Sequence, residues 1–225
     1  MLILNRGIIV SRIVIVFVLI FSSSLYAKKW SFIVISDIHI YPSGRIPEKF
    51  KSMVEHVKAK RPDIVFITGD HTNGNRGDSY GAERISFWYD QLDKALGPLY
   101  DAGIMVIPTV GNHDFYEQKH KDGYTKWATK TLKRYEQGLN IKIENPLYFN
   151  FNYKQQEFFI MKLWTQKMGD DQRQWFVSQT NNAPKYNRFA FGHVPLMSSV
   201  GRSSQYFYKD VGELFSKGHI NIYFT

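Results

Sequence analysis

The sequence predicts an α/β domain, and three observations carry that reading. Short apolar runs alternate with amphipathic stretches of helical period along most of the chain. Four of those runs end directly in polar clusters: Asp37-Ile38-His39, Gly69-Asp70, Gly111-Asn112-His113-Asp114 and Gly192-His193. The 225 residues are 44% hydrophobic and 16% aromatic, enough to bury a substantial core, which excludes a disordered or fibrous chain.

Taken in order, residues 30–36 (WSFIVIS) read as a buried strand. Pro47 opens a helix whose Phe50, Met53, Val54 and Val57 fall at i, i+3, i+4 and i+7, one apolar face. Ile64–Thr68 (IVFIT) is a second strand, and residues 82–96 a second helix. Residues 104–110 (IMVIPTV) form a third strand despite Pro108 near its end. Residues 124–135 read as a helix with Lys126, Lys130, Lys133 and Arg134 on its polar face. Residues 148–153 and 158–164, joined through Lys154-Gln155-Gln156, make an antiparallel hairpin. Asp170–Thr180 is a helix with Trp175 and Phe176 turned inward. Residues 188–191 and Ile220–Phe224 are the last strands, with a helix over 211–216 between them. No internal repeat or low-complexity linker interrupts the pattern.

The amino terminus has a different character. Residues 1–27 carry Arg6 and Arg12, no acidic residue, a nine-residue apolar run over 13–21, and Ala27 before Lys28. That is the layout of a secretory signal peptide, and Arg12 cuts the run short of the ~20 apolar residues a bilayer span needs. An uncleaved anchor is the alternative. The expectation is a mature domain over 28–225, secreted or periplasmic, touching a membrane only through its leader. The absence of cysteine excludes disulfides, thiolate zinc sites, iron–sulfur clusters and a cysteine nucleophile. Any metal must therefore be held by His, Asp, Glu, Asn or backbone oxygen.

The strand ends supply such donors. Functional side chains of α/β sheets gather at the carboxyl ends of strands. Here Asp37, His39, Asp70, Asn112, His113 and His193 converge on one edge, a set that suits Zn, Mn or Fe and argues against a closed structural zinc site. Asp37 and His39 stand on the same side of an extended segment, so both can grip one ion. A lone D-x-H or G-D is common in loops; the joint pattern after four successive strands is specific. His56 reads as solvent-facing, and His120, in the polar run Gln118-Lys119-His120-Lys121, as surface. His71 either caps a turn or touches substrate, and the second reading is favoured.

These residues resemble the calcineurin-like metallophosphoesterase family, whose signature runs D-x-H, G-D, G-N-H-[DE], H and G-H-x-H. The resemblance covers the chain from about Phe32 onward. It implies a four-layer α-β-β-α sandwich of two mixed sheets packed face to face with helices outside, and two metal ions at the sheet edge. It makes Asp37 and His39 ligands of the first ion, Asp70 the bridge, and Asn112 and His193 ligands of the second. His113 becomes the acid or electrostatic stabiliser at the leaving group, with Asp114 orienting its ring. The stretch from Gln172-Arg173-Gln174-Trp175 to Gly192-His193-Val194-Pro195 is similar to the tartrate-resistant (purple) acid phosphatase branch. Two departures, His71-Thr72-Asn73 where that branch has an iron-binding tyrosine and the presence of His39, imply a colourless enzyme. The closing G-H-x-H is not matched: Gly218-His219-Ile220-Asn221 lacks the second histidine. The expectation is accordingly a sequence that stops short, with the carboxyl-terminal part of the domain missing.

The chemistry so implied is hydrolysis of phosphate esters. Two cations ~3.5–4 Å apart share a carboxylate and acidify a water that attacks phosphorus in line. The alcohol then leaves, protonated by His113 or by water. The net charge of +9 favours encounter with anionic esters. The expected protein is a monomer acting on phosphate esters, mainly monoesters, and not on nucleic acid. An exported phosphodiesterase or nucleotidase of the same fold, or a non-catalytic binding protein retaining it, are the alternatives.

Overall fold

In the computed structural model, residues 29–196 and 208–225 are described; the expected leader, residues 1–27, lies outside them. Residues 32–225 form one compact unit. Its first half is three strand–helix repeats: β1 (Phe32–Ile35), α1 (Glu48–Lys60), β2 (Ile64–Thr68), α2 (Ala82–Asp101), β3 (Met105–Thr109) and α3 (Gln118–Lys133). The strands pair in the order β1-β2-β3, all parallel, so their carboxyl ends share one edge. After a short helix α4 (Glu136–Leu139), the second half runs β4 (Phe149–Tyr153), β5 (Gln156–Ile160), α5 (Asp170–Thr180) and β6 (Asn187–Phe191). A π-helical turn (Tyr208–Gly212), α6 (Glu213–Lys217) and β7 (Ile220–Phe224) close the described chain. This sheet is mixed, β4 antiparallel to β5 and the remaining pairs parallel.

Strand alternation sorts each side chain into a layer. Val65 and Ile67 of β2 join Phe50 and Val54 of α1 and Trp88, Leu92 and Leu96 of α2 in one buried cluster outside the first sheet. Phe66, between them in sequence, points the other way and stacks on Phe191 of β6 with ring centroids 3.7 Å apart. Phe32 meets Phe158, Phe191 and Phe224 edge to face across the same interface. Beyond the second sheet, Phe159 and Ala190 pack on Phe176 of α5 and Phe215 of α6. The layers are thus helix, sheet, sheet, helix, as the resemblance implies; the second sheet is mixed as expected, whereas the first is wholly parallel in its described strands.

Element limits differ where burial overrides local signals. The second helix runs through Pro98 to Asp101, past the expected end at 96, because Leu92, Leu96 and Leu99 continue one buried face. That burial offsets a proline cost of about 3 kcal/mol. α3 begins at Gln118, six residues ahead of the expected start, because His120, Tyr124, Trp127 and Thr131 form its buried stripe. His120 is therefore buried and not on the surface; His56 is exposed as expected. The hairpin turns on Lys154 and Gln155 alone, at φ 48° and 59°, a type I′ geometry usually given to Asn-Gly. Its second strand consequently starts at Gln156 and ends at Ile160.

Candidate functional site

The parallel register of β1, β2 and β3 brings the segments that follow them side by side. The amides of Asp37, His39 and Ile40 donate to the carbonyls of Gly69, Asp70 and His71 at 3.0–3.2 Å, so two loops continue as a pair beyond the sheet. The geometry forces unusual backbone. Asp37, His39 and Asp70 adopt φ of 57°, 48° and 52°, a region that residues with a Cβ seldom occupy and that concentrates at functional sites. Glycine is needed where loops cross: a Cβ on Gly111 would lie 2.1 Å from the Asp70 amide nitrogen.

Asp70 is the centre of the site and is buried. Its Oδ1 accepts the His113 backbone N–H at 2.9 Å, which leaves Oδ2 facing three imidazoles. The Nε2 atoms of His193, His39 and His113 lie 3.3, 3.7 and 3.9 Å from that oxygen. His193 donates Nδ1–H to the Thr68 carbonyl at 2.8 Å, and its Nε2 is 3.0 Å from Asn112 Oδ1. A histidine at the end of β6 is thereby held against the ends of β2 and β3. Asp37 Oδ1 lies 3.4 Å from His39 Nε2. All six residues drawn from the strand ends meet at one edge.

Their electrostatics describe a site built for positive charge. Burial disfavours a charged His193, but contact with Asp70, helped by the Thr68 carbonyl and the charge of Asp37, outweighs it and raises the imidazole to about 9. The hydrogen bond from His39, opposed by partial burial, brings Asp37 down to about 2. His39 is raised in turn, chiefly by its bond to Asp37.

The donor set fits metal ions. Among the described residues two groups bring one ligand atom each to within 4.8 Å of one another: His39, Asp70 and His113, and Asp37, Asp70 and His193. Asp70 is common to both, as a bridging carboxylate would be. The buried Nδ1 of His39 has no hydrogen-bond partner. The grouping differs from the expected one in two respects: Asp37 gathers with His193 and not with His39, and His113, expected at the leaving group, gathers with His39.

Two expected roles are corrected. Asp114 does not orient the ring of His113. Its buried carboxylate accepts from the backbone and Nδ1 of His71, the backbone and hydroxyl of Thr72, the hydroxyl of Tyr89 and the amide of Gly111. Burial would raise its pKa, yet the charge and hydrogen bonds of His71, with the amide of Gly111, hold it well below the usual carboxylate range. His71 is fully buried in this pair and cannot reach substrate. Asp114 therefore ties the loop carrying Asp70 to the loop carrying Asn112 and His113. The partner of the His113 ring is one that residue types alone do not signal: Nδ1 donates to the backbone carbonyl of Gly74 at 2.6 Å. Tyr116 is a second such residue, its hydroxyl accepting from Asn112 Nδ2 at 2.5 Å so that the amide oxygen turns toward His193.

No curated protein sequence matches at a significant level. Among solved structures, the crystal structure of a dimetal phosphatase from Danio rerio is similar to this chain with a TM-score of 0.58 and 12% sequence identity, over 86% of this chain and 80% of that one. At that identity the likeness speaks for the fold. The family model of the calcineurin-like phosphoesterases matches residues 31–225, which takes in both sheets and every residue of the site just described. The chain belongs to the calcineurin-like phosphoesterase family and is a metallophosphoesterase, a metal-dependent hydrolase of phosphate esters.

Proposed function

We propose that this enzyme is an exported phosphomonoesterase of acid-phosphatase-like framework, working with two metal ions. Asp37, His39 and Asp70 would hold one ion, and Asp70, Asn112 and His193 the other; Asp37 is close enough to His193 to serve on either side. The observation that carries the reading is the buried Asp70 carboxylate, whose Oδ2 faces three imidazoles and belongs to both ligand groups. The ions, when bound, supply neutralisation of phosphoryl charge and acidification of a water.

The remaining work falls to the chain's own side chains. His193 keeps its Nδ1 proton on the Thr68 carbonyl, which directs Nε2 into the site. His113 keeps its Nδ1 proton on the Gly74 carbonyl, since a carbonyl only accepts, so Nε2 is the atom that gives a proton to the leaving oxygen. Asp114 acts at one remove, by holding both loops. The acid-phosphatase-like part of the reading is supported by Gln172 and Trp175 on α5. Buried Gln172 accepts the Lys162 amide at 2.7 Å, and Trp175 packs on Tyr148 and Phe159, which braces the segment leading to β6 and His193. Export is supported by the charge and apolar pattern of residues 1–27.

The test is metal removal and restoration. Chelated protein should lose hydrolysis of p-nitrophenyl phosphate and regain it with Zn, Mn or Fe, at about two ions per chain. The monoester should be turned over faster than bis(p-nitrophenyl) phosphate. Preference for the diester would replace the monoesterase reading with the phosphodiesterase one. Amino-terminal sequencing of protein from the native host should find Lys28 first; an intact Met1 in a cytoplasmic fraction would refute export.

A further inference from the structure

The loop after β2 does more than carry Asp70. It continues through Asn73-Gly74-Asn75-Arg76-Gly77-Asp78, and the Gly74 carbonyl in it holds the His113 ring at 2.6 Å. An exposed glycine-rich loop would be a poor anchor, because its backbone has many conformations of similar energy. Here it is fastened to the first turn of α3 at three points. Asp78 Oδ2 accepts from Nε2 of buried His120 at 2.9 Å and from the Asn75 amide at 3.0 Å. Lys119 Nζ lies 2.6 Å from both Asp78 Oδ1 and the Asp78 carbonyl. Glu117 accepts the Gly77 amide. Gly74 itself is wedged between the two histidines: a Cβ there would lie 2.5 Å from the His113 carbonyl oxygen and 3.0 Å from His120 Nε2.

The geometry points to Asp78 and His120, with Lys119, as positioning residues that fix the His113 ring through the Gly74 carbonyl and so govern protonation of the leaving group. The inference rests on His113 being the proton donor. In the step concerned, water oxygen forms the new bond to phosphorus and releases its proton to solvent. The ester P–O bond breaks with its electron pair on the leaving oxygen, and that oxygen takes the Nε2 proton of His113. A leaving group that is a good anion, such as p-nitrophenolate, needs this proton little; an alkoxide needs it badly. Loss of the clamp should therefore be selective, with misplacement of the ring costing up to about 10²-fold for the poor leaving group.

The experiment compares turnover of p-nitrophenyl phosphate and of glycerol 2-phosphate in metal-loaded wild type, Asp78→Asn, His113→Ala and the double variant, with Lys119→Met as a second probe of the clamp. Asp78→Asn keeps the side-chain volume and should lower kcat on glycerol 2-phosphate about 10–100-fold, with kcat on p-nitrophenyl phosphate within about threefold and KM little changed. Its effect should vanish in the His113→Ala background. In metal-free protein at alkaline pH, long-range proton–nitrogen spectra should show His113 as the Nδ1–H tautomer in wild type and a mixture in Asp78→Asn. A His113→Ala variant that is leaving-group selective beside an Asp78→Asn variant that loses both activities equally, or whose loss adds to that of His113→Ala, overturns the clamp alone. A His113→Ala variant with no such selectivity overturns the proton-donor reading, and the clamp with it.

Discussion

Asp114 shows how much one side chain can decide. Six donors from residues 71, 72, 89 and 111 converge on its two oxygens, out of contact with water. Removing one partner of such a buried pair strands the other, at a cost of about 3–5 kcal/mol. Asp114→Asn should therefore lower the unfolding free energy of the metal-free protein by that amount, read as a lower urea midpoint, and loosen metal binding, although Asp114 touches no candidate ligand side chain. An unchanged midpoint would show that the loops are held some other way. The meeting of the candidate ligand residues at one edge is legible from sequence because each follows an apolar strand directly, and strand direction brings the carboxyl ends together. The contacts of Asp114 and His113 were not legible. Neighbours in a tight turn aim their side chains apart, so Asp114 reaches back to His71 while His113 finds a backbone carbonyl across the loop.

Elements are legible in the sequence where apolar period and chain punctuation agree, as for Ile64–Thr68, Asp170–Thr180 and Ile220–Phe224. The start of α3 is not legible because its first turn is Gln-Lys-His-Lys, polar in composition yet buried at His120 through a bond to Asp78. The packing of α3 on α2 has its own polar link. Lys130 and Arg134 pair with Asp93 at 2.9 and 3.2 Å. Partial burial would raise the Asp93 pKa, but the Lys130 bond and both cations prevail and lower it. A folded-state pKa below the unfolded value of about 3.9 means that the link stabilises above that pH and is lost as pH falls through the lower folded value. Asp93→Asn should cost about 0.5–1 kcal/mol at neutral pH. Thermal melts should show this difference shrinking below about pH 4; a difference that stayed constant into acid would mean that packing, not charge, holds the pair.

At the scale of the whole molecule, the site exists because two sheets are fixed to one another. Asp37, His39, Asp70, Asn112 and His113 follow strands of the first sheet, whereas His193 follows β6 of the second. The aromatic interface joining them, centred on Phe66 against Phe191, sets the distance from His193 to Asp70. Phe66→Ala should cost about 3–5 kcal/mol in denaturant melts. It should also weaken metal binding more than a substitution of equal cost on the helix side, such as Leu92→Ala. Equal weakening by both would show that the sheets need no such register. If one buried carboxylate organises the candidate metal site, Asp70 is the residue whose loss should undo it. The most direct measurement is metal content by elemental analysis alongside p-nitrophenyl phosphate turnover in Asp70→Asn, after reconstitution in parallel with wild type. Bound metal should fall well below the wild-type level and turnover should drop by at least about 10²-fold. Wild-type metal content with near-wild-type turnover would mean that Asp70 does not organise the site.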